Sequence, residues 1–403
     1  MKLISFIIPS RNNIEYLKQS YDSIRSNSLH PHEICIADDA STDGTKEWVQ
    51  EIMKEDENVK FHINEGPDRV GLTILYDLLV HEYSTHDRLM FFHSDMYLCP
   101  KADEEIDRYL KQGTVVSLTR IEPPLHPDGP EKIIKDFGIE PNELQQAKLL
   151  KFVDEYKPQQ EITEGIFAPW AIMKEDFKSI GGHDILFTPQ SKEDSDIFNR
   201  MYLNGYKFIQ TWYGFVYHMT SRGSRFNPMA GGAPGKDSPE WQHTTTKNMR
   251  NFIRKWGTMV QHDQHMKPIV SPKYNIGFVV ENCDTHILKQ LEPWCSDIYG
   301  DWVGHKGYGV NQYIEEEQPN TQYSLSSKIH SDHIEPINDV VVKFDCQLLN
   351  SNNFQVLVNL SKILEDSAEI GTMKYEIFEF DIKSLNTYEK ELIITKNIGG
   401  YIF

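Results

Sequence analysis

Apolar residues fall along the first hundred positions in two alternating patterns. Short unbroken runs, Leu3 to Pro9 (LISFIIP), Glu33 to Asp38 (EICIAD), Val59 to Asn64 (VKFHIN) and Arg88 to His93 (RLMFFH), have the length and composition of strands covered on both faces. Between them apolar positions recur at helical spacing, as in Ile14, Leu17, Tyr21 and Ile24 of the stretch Ile14 to Arg25, which turns one stripe toward a core. This alternation predicts a parallel or mixed sheet with helices on both faces. In such sheets ligands bind at the carboxyl ends of the strands. Pro9 to Arg11, Asp38 with Asp39, and His93 to Asp95 end the first, second and fourth predicted strands. Three groups far apart in sequence should therefore rim one crevice.

The pattern then loosens. RIEPPLHPDGPEK (Arg120 to Lys132) and a charged helical piece reaching about Gln160 read as an insertion over the edge of the sheet. GIFAPWAIMK is strand-like, GGHDILF is a turn-rich link, and Lys192 to Gly205 is helical, with Ile197, Phe198 and Met201 inward and Gly205 as its stop. Thr220 to Trp241, rich in Gly, Pro and Ser and carrying Arg222, Arg225 and Lys236, is expected to be a mobile loop. A helix from Trp241 to Gly257 closes this part. Beyond Met266 strict alternation appears, with Val340, Val342, Phe344, Cys346 and Leu348 on one face and Phe354, Val356, Val358 and Leu360 on another. Both runs predict antiparallel strands.

Composition narrows the function classes. With 39% hydrophobic and 25% charged residues in 403, the chain has the profile of a globular protein. A net charge of −19 argues against a nucleic-acid partner. It does not exclude a phosphorylated ligand, because a divalent cation held by carboxylates supplies positive charge locally. Residues 270–403 carry twice as many acidic as basic side chains. Five cysteines, Cys35, Cys99, Cys283, Cys295 and Cys346, are odd in number and lack C-x-x-C or zinc spacing, which suits reduced thiols in a cytoplasmic protein. The opening MKLISFIIPSRNN stops its apolar run at Pro9, too early for a signal peptide, and no run approaches the roughly 20 residues of a spanning helix. Membrane contact is expected to be peripheral at most.

Four constellations could carry chemistry, and each has a structural alternative. In Ala37 to Thr42 (ADDAST) the carboxylates either cap a turn or accept a base N–H or a ribose hydroxyl. In Phe91 to Leu98 (FFHSDMYL), His93 and Asp95 share one side of an extended chain and can face a divalent ion bridged to phosphates; the alternative is a surface turn. Ser191 and Asp194 of SKEDSD have capping-box spacing, while a carboxylate at a helix start can serve as general base. His218 ends an apolar run, where a satisfied core histidine competes with a metal ligand.

Taken in order, SFIIPSRNN, IADDASTDGT, FFHSDMYLCP, GGHDILF, EDSDIFNRMYLNGYK and VYHMTS resemble the family 2 glycosyltransferases over roughly residues 1 to 220. The resemblance implies the GT-A fold, an α/β Rossmann-like mixed sheet flanked by helices. Residues 1–265 would form this catalytic domain and residues 270–403 an appended C-terminal α+β domain. It implies transfer of a sugar from a nucleotide-diphosphate sugar to a hydroxyl of a glycan or other acceptor, with inversion. Pro9 and Arg11 would then flank the nucleotide, Asp39 would read the base, Asp38 would stand at the ribose, and Arg69 and Ser94 would join the donor contacts. Asp95, in the position of the family's D-x-D segment, would bind metal, with His93 and His218 as further ligands. Asp194 would be the catalytic base, and Arg222 or Arg225 would take up charge as the diphosphate leaves.

The sequence departs from the family pattern at His93, which replaces the first Asp of D-x-D, and at Met96, where an acidic residue is common. Manganese accepts imidazole nitrogen more readily than magnesium does, so Mn2+ is the expected cofactor, with Mg2+ second. A sugar-phosphate nucleotidyltransferase would need a glycine-rich loop after the first strand, and IPSRNN has none. The other rival is a non-catalytic glycan- or nucleotide-sugar-binding protein on the same fold.

Overall fold

The computed structural model describes residues 3–220, 225–302, 308–367 and 369–394. The described residues form two compact units, one within residues 3–245 and 262–269, the other within residues 246–261 and 270–393. Among the described residues no helix is long and apolar enough to cross a membrane.

In the first unit the strands are β1 (Ile4–Ser10), β2 (His32–Asp39), β3 (Val59–Asn64), β4 (Arg88–Phe91), β5 (Met96–Leu98), β6 (Thr114–Glu122), β7 (Lys132–Ile134), β8 (Ile162–Thr163), β9 (Trp170–Met173) and β10 (Lys207–His218). They make one mixed sheet in the order β3-β2-β1-β4-β9-β6-β10-β5, with β7 on β6 and β8 on β10. Strand β1 runs parallel to both β2 and β4, and β2 to β3. Antiparallel β9 is inserted between β4 and β6, and antiparallel β5 closes the far edge on β10. Strands β1 and β6 are buried along their whole length, as strands covered on both faces are; in β6 this burial includes Arg120 and Glu122, which pair with each other.

The helices are α1 (Ile14–Asn27), α2 (Thr45–Ile52), α3 (Leu72–Leu78), α4 (Ala102–Tyr109), α5 (Gln146–Glu155), α6 (Lys174–Ser179), α7 (Glu193–Leu203) and α8 (Pro239–Trp256). Under α7 and α3 lies an aromatic core in which Phe91 stacks on Trp170, with ring centres 4.1 Å apart. The link GGHDILF crosses this core and is tied down by charge. Arg200 of α7, wholly buried with Asp196, donates to the carbonyls of Ile180 at 2.7 Å and Gly182 at 2.6 Å. Asp77 of α3 accepts from the backbone N–H of His183 at 3.0 Å and lies 2.8 Å from its Nδ1.

The second unit has its own sheet: β11 (Ile276–Glu281), β12 (Asp297–Gly300), β13 (Ile329–Ser331), β14 (Val340–Asp345), β15 (Gly371–Tyr375) and β16 (Phe378–Ile382), in the order β13-β12-β11-β14-β16-β15. Its first four strands are parallel, and β16 and β15 are antiparallel. Two expectations are corrected here. The run Phe354 to Leu360 is helical, Phe354–Val358 followed by Leu360–Ser367, because Val356, Leu357, Leu360 and Leu364 are the buried positions, a helical stripe that seven residues could not separate from alternation. Strand β14 pairs in parallel with β11 and is antiparallel only to β16; Val340, Val341 and Val342 are all buried, so it is covered on both faces. It ends at Asp345, whose side chain accepts from the Gln347 N–H and starts a 3-10 turn.

Arg200→Met should destabilise the first unit by about 3–5 kcal/mol, since it leaves the Asp196 carboxylate buried without its cation. Urea denaturation measures this. A loss below about 1 kcal/mol, the range of an ordinary surface substitution, would show that the pair does not anchor the link.

Candidate functional site

A cavity of about 440 Å³ opens at the carboxyl ends of the parallel strands. Pro9 and Arg11 reach it from the end of β1, Asp39 from β2, and His93, Ser94 and Asp95 from the turn after β4. Glu193 and Asp194 enter from the start of α7, His218 from the end of β10, and Arg69 and Arg225 from loops. Asp38 does not line it. Successive strand residues face opposite sides, and the Asp38 carboxyl turns instead to Ser41, with burial pushing its pKa up. Arg222 lies outside the described residues.

Asp39 is engaged by the chain itself. Its Oδ1 accepts from the Val70 N–H at 2.8 Å and from Asn64 Nδ2 at 2.9 Å, and its Oδ2 accepts from the Gly71 N–H at 3.0 Å. Arg69 Nε lies 3.6 Å away. Glu240, in the first turn of α8, bridges Arg69 and Arg11, the latter at 3.3 Å. Against the cost of burial, Arg69 and Arg11 hold the Glu240 carboxyl below its ordinary pKa. No sequence pattern marked Glu240, because a single Glu at a helix start is commonplace.

His93, Asp95 and His218 offer one ligand atom each, all within 4.8 Å of one another. Glu122, buried at the end of β6 and paired with Arg120 at 2.9 Å and Lys132 at 3.0 Å, takes His218 Nδ1 at 2.9 Å. That contact fixes the ring so that Nε2 faces Asp95 Oδ1 at 3.4 Å, and among the described residues the buried Nε2 has no well-directed hydrogen bond. A carboxylate behind a ligating histidine is the usual outer shell of a metal site. Burial pushes the His93 pKa down to about 4, which keeps its lone pair free for coordination. Against burial, Asp95 and Glu122 draw His218 up to about 9: the site favours positive charge at this point, whether proton or metal ion. The donor set of two imidazoles and a carboxylate fits a divalent cation.

Glu193 and Asp194 open α7 after two left-handed residues, Ser191 at φ 78° and Lys192 at φ 77°. The capping box suggested by the spacing is not formed. Lys192 is the N-cap and makes no side-chain cap bond, while Ser191 Oγ is turned 2.9 Å from Thr245 Oγ1. Asp194 is half-buried at the cavity, and Glu193 is buried, its Oε2 without a hydrogen-bond partner among the described residues. Burial raises both pKa values, and the charge of Asp194 raises Glu193 further.

A carboxyl whose pKa is raised by folding resists ionisation in the fold, so stability is lost as pH climbs from the ordinary carboxylate value through the raised one. Glu193→Gln removes that loss. In metal-free buffer its melting temperature should rise above the parent's by a margin that grows between about pH 5 and about pH 8. A margin independent of pH would show that Glu193 ionises normally.

Residues 5–181 match the family model "Glycosyl transferase family 2". A stretch of 66 residues is 34% identical to the GalNAc(5)-diNAcBac-PP-undecaprenol beta-1,3-glucosyltransferase of Campylobacter jejuni, covering 16% of this chain and 21% of that protein. Another of 74 residues is 40% identical to the abequosyltransferase RfbV of Salmonella typhimurium, covering 17% and 22%. The matched stretch thus spans about a fifth of these curated relatives. Among solved structures, GalNAc-T7 with UDP, GalNAc and Mn2+ superposes with a TM-score of 0.45 at 15% identity, over 63% of this chain and 48% of that one.

Proposed function

We propose, from the match of residues 5–181 to the family 2 glycosyl transferase model, that the chain moves a sugar from a nucleotide-diphosphate sugar to an acceptor hydroxyl, with inversion at the anomeric carbon. The observation that carries this reading is that a carboxyl pair with raised pKa values and a His-Asp-His cluster line one cavity. Asp194 takes the proton of the acceptor hydroxyl as the oxygen attacks from the face opposite the diphosphate. Pro9, Arg11, Asp39, Arg69 and Ser94 hold the nucleotide, and Arg225 stands near the diphosphate. His93, Asp95 and His218 would hold a divalent ion, Mn2+ in preference to Mg2+, which when bound offsets charge on the leaving diphosphate. Residues 1–265 serve as the catalytic domain and residues 270–403 as an accessory one. Five free buried cysteines favour a cytoplasmic location.

Asp194→Asn keeps the shape of the side chain but cannot accept a proton. Donor affinity should be retained while transfer falls by about a hundredfold or more. Transfer within a few-fold of the parent would remove Asp194 from the mechanism. A parent protein that binds nucleotide-sugars but neither transfers nor hydrolyses them would instead be a binding protein on the same fold.

The choice of metal follows from His93. Replacing it by Asp exchanges nitrogen for a hard oxygen ligand, which suits magnesium. His93→Asp should raise activity with Mg2+ relative to Mn2+, as read by assaying parent and variant with each ion. An unchanged ratio would mean that His93 is not a ligand.

A further inference from the structure

Two consecutive left-handed residues that are not glycine, Ser191 and Lys192, carry a steric penalty and persist only where their surroundings hold them. The first turn of α3 supplies that hold. The Leu72 N–H donates to the Pro189 carbonyl at 2.7 Å, and Thr73 Oγ1 lies 2.9 Å from Thr188 Oγ1. Gly71, at φ +94°, approaches so closely that a Cβ there would stand 2.4 Å from Pro189 Cα. This turn is itself fixed from below, because Asp39 accepts the N–H groups of Val70 and Gly71. A continuous line of contacts therefore runs from the end of β2, through Gly71 to Thr73, to the strap of residues 188–192 that delivers Asp194 into the cavity.

We infer that Gly71 to Thr73 is the positioning element for Asp194, setting where the strap, and so the carboxyl, stands over the cavity. This rests on the reading of Asp194 as the base. Neither Thr73 nor Thr188 lines the cavity, so breaking their contact displaces the carboxyl without removing a contact to the donor, whereas Gly71 also holds Asp39. Misplacing a catalytic group by about 1 Å can cost around a hundredfold in rate. The link thus predicts a defect in turnover and not in binding.

The test uses the full chain with Thr73→Val, Thr73→Ser and Gly71→Ala, and Asp194→Asn alongside. Binding of UDP and of GDP with Mn2+ is measured by calorimetry, turnover on the nucleotide-sugar that the parent consumes, and amide exchange of residues 188–194 by mass spectrometry. Thr73→Val should lower kcat about tenfold and Gly71→Ala about a hundredfold. In Thr73→Val nucleotide affinity should stay within about twofold, and exchange should quicken in the strap alone. Thr73→Ser, which keeps the hydroxyl, should restore both. Normal kcat with normal exchange in Thr73→Val and Gly71→Ala would overturn the inference, as would exchange that quickens evenly through the chain. Should Asp194→Asn retain turnover, the base assignment fails; the exchange data then judge the link separately.

Discussion

The parallel pairing of β1 with β2 on one side and β4 on the other is the constraint on which the site depends. Strands that run the same way finish at the same edge, so Pro9 and Arg11, Asp39, and the His93 to Asp95 turn are brought side by side although the chain between them exceeds eighty residues. The antiparallel strand β9 then widens the sheet, and β6 and β10 bring Glu122 and His218 to the same edge. Asp39, Asp95, Glu122 and His218 at the strand ends are all buried, where a polar group left unpaired is costly.

That burial sets the chemistry. Carboxylates and imidazoles removed from water must be paired, protonated or left to bind something. Glu122 is paired, with Arg120 and Lys132. Among the described residues Glu193 and Asp194 make no ion pair, and burial raises their pKa values. His218 is held between Glu122 and Asp95, its Nε2 without a well-directed hydrogen bond among the described residues. A bound cation would offset Asp95, whereas Arg225 is already paired with the carboxylate of Asp237. Glu240 spans Arg11 and Arg69, so the nucleotide end of the cavity has its cations compensated by the chain's own carboxylate.

Much of this site was legible because its residues sit where a strand or helix begins or ends. ADD, HSD and KED each follow or precede a clear apolar period, so their side of the sheet could be read from local sequence alone. Glu122, Asn64, Gly71 and Glu240 gave no such signal. Their partners are far away in the chain: Glu240 meets Arg11 across 229 positions and Glu122 meets His218 across 96. Local pattern also misled in two places. Ser191 and Asp194 have capping-box spacing, yet the left-handed turn at Lys192 swings Ser191 to Thr245. Phe354 to Leu360 satisfies both the strand and the helix period, and burial of Leu357 and Leu364 decides for the helix.

The proposed inversion requires Asp194 to activate an oxygen on the face of the sugar opposite the diphosphate. The most direct measurement is the anomeric configuration of the sugar first released when a panel of nucleotide-sugars is hydrolysed with Mn2+, followed by proton NMR before mutarotation sets in. Inverted sugar, the β-anomer from an α-linked donor, is the predicted product. Retained configuration would contradict a single displacement with Asp194 as base.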